Sequence, residues 1–484
     1  MNHPTLPVVG SRLSEPPRLV SRRQMLHTAA CGFGGLALHG IYNGQAQAAS
    51  GLLAARAPEQ APRAKRVIFL FMSGGPSQLD LFDPKPLIEK NHGQTVDVPV
   101  DVNQLSVGVE KYLAMGSIAP VRPRGESGMM ISDLMPQVAS VADELCLLRG
   151  LYTDNRAHAP ASLQFHTGTV TDALPSMGSW INYGLGTENE DLPGFVTIHP
   201  PSDTRLCASS FLPAAYQGTP VNASASSSEP AIENLQDPQI QPEVQRRRLD
   251  FLQRINQRLL DRVETDSQME GIIESFELAF RMQAETPKLV DFSSESPETL
   301  ELYGINDNPT ARNGRACLLA RRLSEAGVRF VQVTMEGWDH HGNILKALPN
   351  SCGGADRPIA GLIKDLKRRG LLEDTLVLWS GEFGRTPWSQ DLSGTSPIDT
   401  HGREHQQESF CAWMAGGGVK PGFTYGATDD FGYQPIEGKI HLHDLHATML
   451  HLLGVDHEQL TYRHAGRDFR LTDVYGKVVD EILV

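Results

Sequence analysis

The sequence predicts an α/β protein built on a doubly wound, mostly parallel sheet flanked by helices, and three observations carry that expectation. The runs VIFLFM (67–72) and LVLW (376–379) are apolar almost without interruption, the pattern of strands buried on both faces, and VRFVQV (328–333) reads as a further strand. Amphipathic stretches at 312–326 and 358–369 feed the second and third runs, so strands and helices alternate. Each run breaks into a short polar or glycine-bearing segment, where open α/β sheets place their ligands.

The chain has 484 residues, 40% hydrophobic and 21% charged, enough for one large core with insertions. Its 43 basic and 57 acidic residues leave a net charge of -14, which repels phosphate and disfavours nucleic acid as a partner. The six cysteines show no paired short spacing, against a disulfide framework or a zinc knuckle.

Residues 1–49 read as a twin-arginine targeting peptide. Ser21-Arg22-Arg23-Gln24-Met25-Leu26 precedes a weakly apolar, Gly/Ala-rich run, and Ala46-Gln47-Ala48-Ala49 offers small residues for cleavage. That run is too short and glycine-rich for a stable membrane span, and none is expected in the mature chain. The expected location is periplasmic or extracellular, with the twin-arginine export machinery as a partner. Residues 50–64 read as an Ala/Pro-rich linker and 65–484 as the folded domain.

Within that domain the first apolar run leads into Ser73-Gly74-Gly75, glycines read as making a turn. Residues 136–148 read as a helix entering a strand at 145–148. Pro160 marks a helix start, which puts His158 near free N–H groups and the positive end of a helix dipole. That placement predicts a depressed His158 pKa. Residues 238–290 read as a helical hairpin insertion, with Leu249, Leu252, Ile255 and Leu259 at three- and four-residue steps. Residues 410–414 read as a strand breaking into Gly416-Gly417-Gly418. The histidine-rich helix at 441–453 reads as structural, because no HExxH pattern occurs there.

Two strand ends concentrate chemistry. One leads to Asp339 and His341, the other to Glu382, Arg385, His401 and His405. Carboxylates, imidazoles and an arginine at two strand ends suit a metal or anion site; the alternative is that they cap helices and pair on the surface.

Taken together, VIFLFMSGGPSQLDLFDPKP, LPAAYQG, GWDHHGN, SGEFGRTP, HGREH, AGGGVKPGFTYGATDDFG and HAGRDFRLTD resemble the secreted bacterial family known as domain of unknown function 1501. That family is related to the alkaline phosphatase and sulfatase superfamily, and the resemblance implies an alkaline phosphatase-like fold and a hydrolytic metal site. Ser73 stands where sulfatases carry a metal-binding aspartate. His158-Ala159-Pro160-Ala161-Ser162, followed by Thr167-Gly168, is similar to the sulfatase nucleophile segment and puts His158 at the nucleophile position. Ser380-Gly381-Glu382-Phe383-Gly384 matches the Ser-Asp-His-Gly element, with Glu382 for the aspartate and Phe383 unable to replace the histidine. Asp339, His341 and His405 resemble the remaining ligands, with His401 an open alternative to His405.

The resemblance therefore implies one divalent ion, zinc or manganese by ligand type, on Asp339, His341, Glu382 and His405. His158 and Arg385 are the expected catalytic residues, Arg385 clamping an ester oxygen. The implied activity is hydrolysis of a phosphate, sulfate or related anionic ester, with a polysaccharide or other glycan as candidate substrate. The rival is a catalytically silent member of the fold that binds a glycan or protein at the cell surface.

Overall fold

In a computed structural model the described residues are 51–96, 112–223, 232, 235, 240–260, 267–391 and 396–484. The targeting segment therefore lies outside them. Residues 52–64 form no helix or strand, yet they are tied to the domain: Arg56 N–H donates to the Leu185 carbonyl (2.9 Å) and Arg63 N–H to the Leu452 carbonyl (2.8 Å), while Leu53 is buried.

The elements that position the site are, in chain order, strand β1 (Arg66–Met72), strand β2 (Leu145–Tyr152), helix α1 (His158–Thr167), helix α2 (Met177–Leu185), and strands β3 (Phe195–Ile198) and β4 (Thr219–Val221). Helices α3 (Pro242–Leu260), α4 (Ser267–Val290) and α5 (Ala311–Glu325), strand β5 (Phe330–Met335), helix α6 (Ile344–Arg368) and strand β6 (Thr375–Ser380) follow. The chain then forms β7 (Gly384–Gln390), β8 (Gly402–Gln406), β9 (Phe410–Ala415), β10 (Phe423–Tyr425), β11 (Ile440–His441) and helix α7 (Leu442–Leu452).

A nine-stranded sheet runs β10-β2-β9-β6-β1-β5-β3-β4, with β11 beside β2. β1 pairs in parallel with β6 and β5 at its centre. β9 is antiparallel to both neighbours, so one reversed strand interrupts an otherwise parallel series. Burial on both faces explains the unbroken apolar runs. Ile68, Leu70 and Met72 of β1 join a core with α5 and α6, whereas Val67, Phe69 and Phe71 join a second core with α1, α2 and α7.

Two segments differ from expectation. Residues 136–148 hold only a short helical turn, Pro136–Ala139, and a 3-10 turn before β2, because both faces of β2 from Leu145 onward are claimed by the sheet cores. Helix α6 starts at Ile344, well before 358, and carries Pro349 and Pro358 internally. Burial of Leu348, Cys352, Ala355, Ile359 and Leu362 along one stripe overrides the local preference of proline for a helix start.

Candidate metal centre

Parallel strands deliver their following loops to one edge of the sheet. After β1, Gly74 adopts φ +119°, and a Cβ there would lie 2.4 Å from the Asp339 backbone nitrogen. Glycine is required because this loop packs directly on the loop after β5. Trp338, buried in the core with its ring edge-on to Trp379, anchors that second loop and leaves Asp339 at the surface of the site. After β6, Glu382 turns back so that both carboxylate oxygens accept from Gly74 N–H, at 3.0 and 3.1 Å. β7 and β8 then form a hairpin in which Arg385 faces His405 in register. From strand β2, separated from β6 by β9, the chain reaches His158 at the first position of α1.

Four side chains converge. His341 Nε2 lies 2.9 Å from Asp339 Oδ1, His158 Nε2 3.3 Å and His405 Nε2 3.5 Å, and the Nε2 atoms of His341 and His405 are 2.9 Å apart. One donor atom from each of the four falls within 4.8 Å of every other. A tetrahedral zinc site with ligands at 2.0–2.1 Å has edges of about 3.3–3.4 Å between neighbouring donors, close to these separations.

The second nitrogen of each imidazole decides which atom faces the centre. His158 Nδ1 donates to Glu382 Oε1 at 2.6 Å, and His405 Nδ1 to the Arg156 carbonyl at 2.8 Å. His341 Nδ1 bonds the Gln390 side-chain oxygen, whose amide nitrogen is held at 2.8 Å by Glu404. Each Nδ1 therefore has an oxygen partner, and the three Nε2 atoms are the ones that face Asp339 and could give up a proton when a cation binds. The His158 Nε2 atom is buried with no hydrogen-bond partner. Protein metal sites show this arrangement, with an oxygen acceptor fixing the tautomer of each ligating histidine. The donor set fits a single divalent ion of the zinc or manganese class.

The electrostatics follow from the same contacts. Burial pushes the His158 pKa down, but the facing carboxylates of Asp339 and Glu382 outweigh it and raise it to about 9. The helix-end depression expected from sequence is thus reversed, since two adjacent carboxylates act more strongly than one helix terminus. Burial works to raise the Asp339 pKa, yet its contacts with His158, His341, His405 and Arg385 hold it far below the usual carboxylate range. His405 is lowered, mainly by burial.

Other expected roles change. Glu382 braces His158 and is not among the four converging donors; His158 takes that place. Arg385 is buried beneath the site, not poised as a clamp. Its Nε donates to the Gly75 carbonyl (2.9 Å), one terminal nitrogen to the Arg403 carbonyl (3.1 Å), and the other to the Gly74 carbonyl and Asp339. With its donors engaged in this way, it orients Asp339. His401 is also excluded, because its two nitrogens bond Ser389 Oγ (3.0 Å) and the Ser396 carbonyl (2.9 Å). Phe383 packs against two of the imidazoles, its ring centroid 4.9 Å from His158 and 4.5 Å from His405. Sequence reading missed Gln390 and the Arg156 carbonyl as braces, and neither carries a local signal.

Beside the cluster opens a cavity of about 370 Å³, walled by Ser73, His158, Ser162, Asp203, Glu336 and Asp339 among others. No lysine or arginine lines it among the described residues.

A family model described as Protein of unknown function (DUF1501) matches residues 64–483. The chain belongs to this family. No curated protein matches it. Solved structures similar to this DUF1501 chain include the lipoteichoic acid synthase LtaP from Listeria monocytogenes, at 11% identity over 87% of this chain and 78% of that one, with a TM-score of 0.34. The PsFucS1 sulfatase from Pseudoalteromonas sp. is 12% identical over 82% of this chain and 69% of its own, TM-score 0.34. A TAB5 alkaline phosphatase mutant with Mg bound is 12% identical over 74% and 92%, TM-score 0.29. Scores this low bear on no assignment of function.

Proposed function

We propose that this protein is an exported, metal-dependent hydrolase of phosphate, sulfate or related anionic esters, its single divalent ion held by His158, Asp339, His341 and His405. One observation carries the reading: three imidazole Nε2 atoms and one carboxylate oxygen converge beside a cavity at the carboxyl edge of the sheet. A zinc or manganese ion at that point supplies Lewis acidity and lowers the pKa of water.

The chain's own groups do the rest. Glu382, pinned by Gly74 N–H, keeps the proton on His158 Nδ1. Arg385 and the histidines keep Asp339 ionised. As a ligand, His158 would not be free to act as the nucleophile; water would attack the phosphorus or sulfur, the ester P–O or S–O bond would break, and the alcohol would leave with a proton. Of the other carboxylates on the cavity wall, Asp203 is held in a bidentate pair by Arg205, which leaves Glu336 as the candidate to take the proton of that water. Among the described residues no lysine or arginine lines the wall, so a bound ion and the positive end of α1 would be the groups that attract the ester.

That same acidic wall favours the second reading, a silent scaffold that binds a glycan or protein partner outside the cytoplasm. Export by the twin-arginine route belongs to both readings and rests on Ser21-Arg22-Arg23-Gln24-Met25-Leu26. Among the described residues no helix is long and apolar enough to cross a membrane. The deciding experiment measures metal content of protein purified without chelator and turnover of aryl phosphate and aryl sulfate esters. About one ion per chain with turnover that is lost in His341→Ala supports the hydrolase. A stoichiometric ion without turnover on any ester leaves the scaffold, and no ion in either form removes the metal mechanism.

A further inference from the structure

Five of the eleven exposed large apolar side chains among the described residues sit on the helical insertion: Phe251, Leu252 and Ile255 on α3, and Ile272 and Phe276 on α4. Phe251 is 57% exposed and Phe276 51%, so these rings are not edges of a core. On α3 the opposite side is the one that packs, with Leu249 buried and Arg246 paired to Glu277 of α4 through two bonds of 2.9 and 2.7 Å.

The outward side of α3 is also basic. Arg247 precedes Phe251 by four residues, Arg248 precedes Leu252 by four, and Arg254 and Arg258 follow Phe251 and Ile255 by three, so all seven share a face. All four of these arginines are exposed, and among the described residues no carboxylate pairs with any of them. In a chain of net charge -14 this is a basic island, with apolar side chains at its centre.

We infer that the outward face of α3 docks this protein onto an anionic lipid surface. The pattern matches both layers of such a surface. Apolar side chains enter the boundary between headgroups and acyl chains, and arginines extend along it to reach phosphates. A soluble polyanion would satisfy the guanidinium groups but leave Phe251, Leu252 and Ile255 in water. A neutral protein groove would bury the apolar groups and leave four charges unanswered. The association is peripheral and does not depend on the metal centre.

The test is co-sedimentation of the purified full chain with phosphatidylglycerol/phosphatidylcholine vesicles and with phosphatidylcholine vesicles, at low and high salt. The expected result is at least tenfold stronger partitioning to the anionic vesicles, weakened by salt. The double variants Arg247→Glu/Arg254→Glu and Phe251→Ser/Ile255→Ser should each cut it at least tenfold with unchanged circular dichroism. Equal partitioning to both vesicle types, or none, overturns the proposal. So does full competition by heparin with no effect of the apolar variant, which makes the face an anion site. A concentration-dependent dimer that Phe251→Ser abolishes, in a chain that ignores vesicles, makes it a contact between copies. Wild-type salt and lipid dependence decide the matter even where a variant fails to fold.

Discussion

His158 Nδ1 lies 2.6 Å from Glu382 Oε1, and that bond determines which nitrogen of the imidazole confronts Asp339. Because both oxygens of Glu382 are also held by Gly74 N–H, the brace is rigid from the backbone of β1's loop through to the cluster.

Glu382→Ala is therefore expected to weaken retention of a divalent ion about 10–100-fold, the usual effect of losing the partner of a ligating histidine. Glu382→Gln should fall between, since it keeps an acceptor without the charge. Competition with a chromophoric chelator measures this, and retention unchanged in the alanine variant would show that His158 is not a ligand.

Gly74→Ala tests the close packing of the two loops. A side chain at φ +119° costs about 1–3 kcal/mol, and the new Cβ would also displace the Asp339 backbone. We expect a lowered melting temperature together with loss of metal. A stable variant with full metal content would refute the claim that this loop sets Asp339.

Asp80 and Arg403 form an ion pair with both side chains fully buried, at 2.8 Å through Nε and 3.0 Å through a terminal nitrogen. Removing the carboxylate in Asp80→Ala strands a buried guanidinium, at a cost of about 3–5 kcal/mol. Urea unfolding should report it, and a change below about 1 kcal/mol would mean that the Thr386 and Gly116 carbonyls suffice for Arg403.

Acid should destabilise the fold through the buried histidines of the second core. Burial lowers the pKa of His166 to about 4 and of His446 to about 3, from 6.5. Below pH 6.5 the unfolded chain takes up protons that these two histidines refuse in the folded chain, so their contribution to stability is constant above 6.5 and is lost as pH falls toward those lower values. Each such histidine contributes about 1.4 kcal/mol per pH unit across that window. Unfolding midpoints between pH 7 and pH 4.5 should show this slope, reduced by one proton in His446→Gln. An identical slope in that variant would mean that His446 is protonated in the native state.

The fold was legible because strands buried on both sides leave near-continuous apolar runs, as in β1 and β6, while β5 kept its strand signal despite the buried Gln332 and Thr334. Reversal of β9 was not, since Phe410–Ala415 is equally apolar in either direction. In the site, Asp339, His341 and His405 were readable as residues at strand ends. The exchange of roles between Glu382 and His158 was hidden, because it depends on which atom of each side chain points inward. That depends in turn on the Gln390 side chain, the Arg156 carbonyl and Gly74 N–H, contacts that span 49 to 308 positions in the chain. Arg385 shows the same limit: its fork suits an ester oxygen in isolation, and only the fold reveals that backbone carbonyls have already taken it.

The reversed strand has a further consequence. The chain leaves β6 at the edge that bears the cluster, runs out through β7, returns through β8 and re-enters the sheet as β9 at that same edge. Both roots of the hairpin are thus sewn into the rigid centre of the molecule, and the pairing of Arg385 with His405 sits next to those roots. The far end of the hairpin is tied in as well: Gln390 holds His341, and the Thr400 and His401 carbonyls accept from the backbone N–H groups of Asn343 and Ile344. An all-parallel series would need a long crossover after β6, so reversal of one strand keeps both the outgoing and the returning segment beside the cluster.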